Sequence, residues 1–338
     1  MSSDLHCPLL QRLQRKSFLH AVLITIGLAV FGSSALAQLT YPTRAIRIVV
    51  PFPPGGASDA AARIIAEQLT RRLAQQVVVE NQAGANGNIG TQHVAKSKPD
   101  GYTLLLGFDG TLVINPHVYS KLAFDPIGDF EPVGKIGDLN LVLVAHSSLD
   151  AKSLSDVVAL SKARSEGLPY GSPGTGGTPH VAVEMFKQRT LANLTHIPYK
   201  GAGPATVDVM GGHIPLAIVG VGAVVQLTKT GAIVPLAVTS AQRSTSLPQV
   251  PTFMESGVVD FEVNSWFSIM APAGTPKDIV ERLNTELNAV LAMPETRERL
   301  DALGVTVTPG TPEELRNEIR RDLARYGSVV KSAGIRIE

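Results

Sequence analysis

Three short segments of this chain set glycine beside hydroxyl or carboxyl groups, a combination suited to holding a small anion. They are Pro53-Pro54-Gly55-Gly56-Ala57-Ser58-Asp59, Gly107-Phe108-Asp109-Gly110-Thr111 and Ser172-Pro173-Gly174-Thr175-Gly176-Gly177-Thr178. Each follows an apolar run and precedes a helical pattern. A helix N-terminus offers unpaired N–H groups and a partial positive charge, and glycine lets backbone approach a ligand closely. Three matched loops predict a shared anion-binding cleft. Its lining would come from Pro54, Gly55, Gly56, Ser58, Thr111, Ser172, Thr175, Gly176, Gly177 and Thr178. Asp59 reads either as a helix N-terminal charge or as a site group. Asp109 reads as an acceptor for a ligand ammonium or hydroxyl, or as a solvated surface acid. Tyr199 and Lys200 end a strand, where Lys200 either pairs with an anion or lies on the surface. None of these loops contains Arg. A carboxylate would therefore be held by backbone N–H groups, hydroxyls and ordered water.

Other chemistries fit poorly. Gly-x-Gly-x-x-Gly fails at Gly174, where Pro179 takes the last position, and at Gly220, where Val225 does. That argues against a dinucleotide site. Ser172 lacks the first Gly of a nucleophile elbow. An exported α/β hydrolase using Ser172 or another Ser is the alternative reading. It needs a His base and an acid within hydrogen-bond reach, and His180 is near Ser172 in sequence. His180 and Glu184 are four apart and could share a helix face, but a lone pair of this kind reads as structural. No catalytic residue, metal or cofactor is expected.

The loops need a scaffold. The pattern predicts strands over 45–50, 76–80 and 102–106, with helices from Ser58 or Asp59 to Leu73 and over 89–95. A second series has strands over 139–145, 168–171, 195–199, 214–219 and 233–239, with helices over 153–164, 180–187 and 204–210. The C-terminal part is helical from Lys277, from Pro294 and from Thr311. Repeated strand–helix–strand units imply parallel sheets covered by helices, with ligand loops at the carboxyl ends of the strands.

The chain has 338 residues, 44% hydrophobic, and 30 Lys+Arg against 29 Asp+Glu. That excludes a wholly disordered chain, and the missing basic excess argues against nucleic acid. Arg12, Arg15 and Lys16 precede an apolar run over 18–31 and an Ala35-Leu36-Ala37 site, the pattern of an export signal cleaved after Ala37. The only cysteine, Cys7, would be removed with it. The expectation is a soluble periplasmic monomer.

Several motifs, in order along the chain, then become familiar together. They are Tyr41-Pro-Thr-Arg-Ala-Ile-Arg-Ile-Val-Val-Pro-Phe-Pro-Pro-Gly-Gly56, Val77-Val-Val-Glu-Asn81, Pro99-Asp-Gly-Tyr-Thr-Leu104, Pro198-Tyr-Lys-Gly201, Leu236-Ala-Val-Thr239, Val250-Pro-Thr252 and Ala271-Pro-Ala-Gly-Thr-Pro276. This set resembles the Bug family of extracytoplasmic solute-binding receptors of tripartite tricarboxylate transporters. The resemblance implies an α/β, two-lobed type II periplasmic binding protein (a Venus flytrap), each lobe a mainly parallel sheet flanked by helices. It implies a signal peptide over 1–37, a first domain over 38–140 and 264–338, and a second over 141–263. Segments near 139–145 and 263–270 would form the hinge. The implied ligand is a small carboxylate: a dicarboxylic amino acid, a tricarboxylate, an aromatic carboxylate or a nicotinate-like compound. The implied partners are membrane subunits of such a transporter or a sensor protein. By position, Pro53–Asp59 is similar to the first-domain ligand loop, Gly107–Thr111 to a second cleft loop, and Ser172–His180, flanked by Tyr199–Gly201, to the second-domain carboxylate loop. Two departures stand out. The second-domain loop often reads Ser-x-Gly-x-Gly-Ser, whereas Gly177-Thr178 stands here, and Asp109 is acidic where many relatives are neutral.

Overall fold

The computed structural model describes residues 41–337; the expected signal peptide, its cleavage site and Cys7 lie outside the described residues. In chain order the elements begin with β1 (Ile46–Val50), α1 (Ala57–Leu73), β2 (Val77–Asn81), α2 (Asn88–Ala95), β3 (Thr103–Phe108), α3 (Asn115–Val118) and β4 (Phe130–Leu139). A second group follows: β5 (Leu141–His146), α4 (Leu154–Lys162), β6 (Leu168–Ser172), α5 (Thr178–Thr190), β7 (Leu194–Pro198), α6 (Ala202–Met210), β8 (Leu216–Gly220), α7 (Val221–Thr228) and β9 (Ile233–Val238). The chain closes with β10 (Ser265–Pro272), α8 (Lys277–Leu291), α9 (Pro294–Asp301), β11 (Val305–Val307) and α10 (Pro312–Ala333).

Two sheets result, ordered β11-β4-β10-β3-β1-β2 and β7-β6-β8-β5-β9. Their pairings are mixed rather than mainly parallel. β1 runs parallel to β2 and β3, and β6 runs parallel to β7 and β8. β10 is antiparallel to β3 and β4, β11 to β4, and β5 to β8 and β9. The cause is topological. A strand delivered by a helical crossover within its own sheet must run parallel to the strand before it. β5 and β10 instead arrive from the other sheet and enter against the local direction.

Local sequence explains the elements. β1 (Ile-Arg-Ile-Val-Val) is β-branched, lies between β2 and β3, and buries every residue except Arg47. Along β5, Val142 and Val144 face one apolar cluster while Leu141, Leu143 and Ala145 face another, the two-residue period of a strand covered on both sides. Ser153 caps α4 through Asp156 N–H, and Thr311 with Glu314 forms a capping box on α10 behind Pro312.

The expected strand over 139–145 breaks at one residue. Asn140 separates β4 of the first sheet from β5 of the second. Its N–H donates to Gly304 O at 3.1 Å, its O accepts from Val221 N–H at 2.9 Å, and its side chain donates to Thr306 Oγ1 at 2.9 Å. The return crossing lies between β9 and β10, where Val263 N–H donates to Thr239 O.

Candidate functional site

Five helices that follow strands start in the same way. α1, α2, α5, α6 and α7 have Gly56, Gly87, Gly177, Gly201 and Gly220 at the N-cap, with no side-chain cap. The peripheral α4 and α10 are capped by side chains. Leaving the first N–H groups uncapped forgoes the roughly 1 kcal/mol of a good cap and keeps those donors free. Two of the three strand-end loops expected from sequence thus lead into helices without a side-chain cap, at Gly56 and Gly177; the Gly107–Thr111 loop instead leads from Asp109 into a buried turn.

In the first lobe, Pro54, Gly55 and Gly56 are exposed, whereas Ser58 and Asp59 are buried. Asp59 does not point freely outward. It accepts from Gly55 N–H at 3.0 Å, from Arg63 Nε at 3.0 Å and from Asn81 Nδ2 at 3.0 Å, and Arg63 closes a second contact at 2.9 Å. The Arg63 hydrogen bond, helped by the Gly55 and Asn81 donors, holds its carboxyl down at about 2 despite burial. Asp59 therefore shapes the loop that presents the Gly56–Ser58 N–H groups. Thr111 is buried, and its hydroxyl donates to Asn86 O at 3.1 Å. Asn115 joins this contact, donating to Asn86 O at 3.0 Å and to Asn88 Oδ1 at 2.7 Å. The turn over 84–88 is thereby fixed against the second loop. Phe52 and Phe108 meet edge to face at 5.2 Å and tie the first loop to the second.

Asp109 departs most from its sequence reading, because it is shut off from solvent. It is 0% exposed, and Thr178 Oγ1 donates to its Oδ2 at 2.6 Å. That bond joins the first-lobe loop to the N-terminus of α5 in the second lobe. Gly176 continues the junction: a Cβ there would sit 3.3 Å from Val118 of the first lobe. Its φ of +73° is a conformation that suits glycine.

The second-lobe loop rests on two histidines. Gly176 N–H donates to His180 Nδ1 at 3.1 Å. Ser172 Oγ donates to Gly174 O at 3.0 Å, accepts from Gly174 N–H at 3.3 Å, and lies 2.7 Å from His196 Nε2. Burial lowers both imidazoles, His180 to about 4 and His196 to about 3, so both are neutral at physiological pH. Tyr170 Oη donates to Glu184 at 3.3 Å, and Lys187 pairs with the same carboxylate at 2.8 Å. Sequence reasoning passed over His196, Asn86 and Asn115. The polar, glycine-bearing 81–88 segment was a usable signal for Asn86; nothing local marks His196.

Tyr199 supports α6 rather than the cleft. Its hydroxyl donates to Asp208 at 2.7 Å, and burial with that contact raises it to about 12. Lys200 is exposed and has no acidic partner among the described residues. Thr175 is half-buried and makes no side-chain hydrogen bond within the described chain, so its hydroxyl is free. The Ser172–His196 pair meets half of the hydrolase requirement. Among the described residues no carboxylate accepts from the other His196 nitrogen, and Ser172 is 0% exposed. A groove of about 600 Å³ lined by Arg63, Thr70, Arg71 and Val77 to Val79 lies along β2. Among the described residues no cluster of three or more metal-ligating side chains occurs, and no helix is long and apolar enough to cross a membrane.

Known proteins resemble this chain in sequence and fold. The sequence pattern described as "Tripartite tricarboxylate transporter family receptor" matches residues 61–335. Protein BugT of Bordetella pertussis is 38% identical over 94% of this chain and 98% of its own. Rpa4515 of R. palustris, solved with adipate, is 38% identical over 88% of this chain and 99% of that one, with a TM-score of 0.80. The periplasmic binding protein BugD is 34% identical over 88% of this chain and 100% of that one, with a TM-score of 0.77. With a family pattern across most of its length and the two-lobed α/β fold of a periplasmic binding protein, the chain belongs to the receptor family of tripartite tricarboxylate transporters, the Bug proteins.

Proposed function

We propose that this chain is an exported receptor that captures a small dicarboxylate between its lobes in the periplasm and delivers it to the membrane subunits of a tripartite tricarboxylate-type transporter. One observation carries the reading: the Asp109–Thr178 contact brings the loop that ends β3 in the first lobe against the glycine-started, uncapped N-terminus of α5 in the second. Hydrogen bonds from backbone N–H to a charged acceptor each contribute about 1.5–3 kcal/mol, so a few suffice without Arg. The adipate complex of Rpa4515 supports a ligand with two carboxylates. On this reading Pro54 to Ser58 hold one end and Gly174 to Thr178, with Thr175 hydroxyl, hold the other. Lys200 supplies long-range attraction from the rim. The first domain is 38–140 with 264–338, the second is 141–263, and closure turns about Asn140 and the Val263–Ser265 crossing.

A thermal-shift and calorimetry panel of adipate, malate, succinate and citrate tests this. A ligand at one hundred times its Kd stabilises the folded chain by about 2.7 kcal/mol, a rise of a few degrees in Tm. A panel in which no carboxylate shifts Tm or gives binding heat overturns the reading.

A further inference from the structure

The carboxyl of Asp109 is closed in on every side. Its own turn brings Gly110 N–H near, and β10 brings Trp266 N–H. α10 brings Asp322, itself buried and accepting from Trp266 Nε1 at 3.1 Å, together with the buried Tyr326. α5 brings Thr178 from the second lobe. The charged neighbour among these is another acid, and no Lys, Arg or His pairs with Asp109 among the described residues. One oxygen takes the Thr178 hydroxyl; the other, Oδ1, is shut off from solvent with no hydrogen bond of good geometry.

An ionised carboxylate in such a place is costly, because desolvation is uncompensated by any cation. Burial pushes Asp109 up from 3.8 to about 7, and Asp322 pushes in the same direction. The first lobe supplies Gly110, Trp266, Asp322 and Tyr326 to this enclosure, and the second lobe closes it with Thr178. Parting the lobes takes Thr178 away and opens that side of the carboxyl to water, which favours the ionised form.

We propose that closing the lobes over an anionic ligand is coupled to uptake of one proton by Asp109. The proton comes from solvent and adds to Oδ1, while Oδ2 keeps the Thr178 hydroxyl; no bond between heavy atoms changes. The closed form holds more protons than the open form, so acid favours closure. Affinity then falls as pH rises from the open form's lower value towards the closed one, by up to about tenfold per pH unit, and is flat above. The inference rests on the receptor reading, since ligand-driven closure is what the proton is coupled to.

Calorimetry with adipate between pH 5 and 8, in two buffers of different ionisation heat, tests it. The native protein is expected to take up close to one proton per adipate near pH 6. Asp109→Asn, which keeps the shape, should take up only what adipate itself accounts for, and its affinity should lose the pH slope. Thr178→Val keeps the carboxyl and should bind more weakly while keeping the uptake. Equal uptake in the native protein and Asp109→Asn overturns the coupling. If no carboxylate binds, the receptor reading fails and small-angle scattering of the free protein decides the coupling. Compaction on going from pH 8 to 5, absent in Asp109→Asn, upholds it; a radius of gyration that ignores pH in the native protein overturns it.

Discussion

The imidazole rings of His180 and His196 stack face to face, centroids 3.7 Å apart and 13° from parallel, each bonded to a different part of one glycine loop. Gly176 N–H donates to His180 Nδ1, so that nitrogen carries the lone pair and the proton sits on Nε2, 3.8 Å from Glu184. A proton added to Nδ1 would set donor against donor and put charge into a stack of two rings. The loop geometry thus depends on both rings staying neutral, which burial enforces.

Acid should therefore weaken the fold through this pair. The unfolded chain binds protons at an ordinary histidine value near 6.5, whereas the folded rings wait until about 4 and about 3. Below the unfolded value the unfolded chain gains protons first. Stability then falls as pH drops from 6.5, by up to about 1.4 kcal/mol per pH unit for each ring. In the closed form Asp109 acts oppositely, since its raised value removes stability as pH climbs towards about 7. Denaturant unfolding of the adipate-bound protein across pH 4.5–7.5 separates the two effects. His180→Gln and His196→Gln should flatten the acid limb, and Asp109→Asn should steepen it. Parallel curves for all four proteins would falsify the assignment.

Ser172 should behave as a brace and not as a nucleophile. Its hydroxyl serves Gly174 O, Gly174 N–H and His196 Nε2 together. Ser172→Ala leaves buried polar groups unpaired, a loss of about 1–3 kcal/mol in stability, with weaker carboxylate binding from the loosened loop. A fluorophosphonate probe should leave the native protein unlabelled, because no acid completes the pair and the oxygen is buried. Stoichiometric labelling at Ser172 would revive the hydrolase alternative.

How much of this was readable in the chain follows from the range of each interaction. The helix starts at Gly56 and Gly177 are local, and the alternation of strand and helix points to them a residue or two late, at Ser58 or Asp59 and at His180; the first is left without the side-chain cap that Ser58 or Asp59 suggests. The Thr275-Pro276 start and the Thr311-Pro312-Glu313-Glu314 box are local too, and α8 and α10 begin there. The burial of Asp109 was not readable, because it is made by Thr178, Trp266 and Asp322, 69 and more residues away. His196 was missed for the same reason, since its partner Ser172 reaches it through the β6–β7 pairing. β4 was missed because Phe130 to Leu139 mixes charged residues, Pro132 and two glycines into a strand held by β10 and β11. A break at a single Asn inside an apolar run, as at Asn140, leaves no local signal.

Asp59 should matter to binding through the loop it holds. Asp59→Ala frees Gly55 N–H, Asn81 and Arg63 together. The expected cost is about 1–3 kcal/mol in stability, taken from the buried backbone and amide bonds because Arg63 is largely solvated. Carboxylate affinity should fall with it, whereas Arg63→Ala should leave affinity near native. Asp59 contributes stability above its unfolded value near 3.8, lost as pH falls through about 2, so its effect is complete at neutral pH. Equal affinity in Asp59→Ala and the native protein would remove the first loop from the site.

The proposed hinge offers a test by sign. Gly222, in the first turn of α7, lies against the backbone of Leu303 and Gly304 from the first lobe. A Cβ on Gly222 would collide with Leu303 O, and one on Gly304 would come 2.7 Å from Gly222 N. Helix propensity alone favours Ala over Gly by up to about 1 kcal/mol, so Gly222→Ala would be stabilising if this approach were absent. With backbone on the far side, nothing can rotate away, and the lobes must shift at the crossing that Asn140 pins to Gly304 O and Val221 N. Gly222→Ala should therefore lower Tm by several degrees and change the free protein's radius of gyration. Gly203→Ala, in the first turn of α6 where a Cβ meets open space, should do neither. A Tm for Gly222→Ala at or above native would show that the lobes do not pivot on this contact.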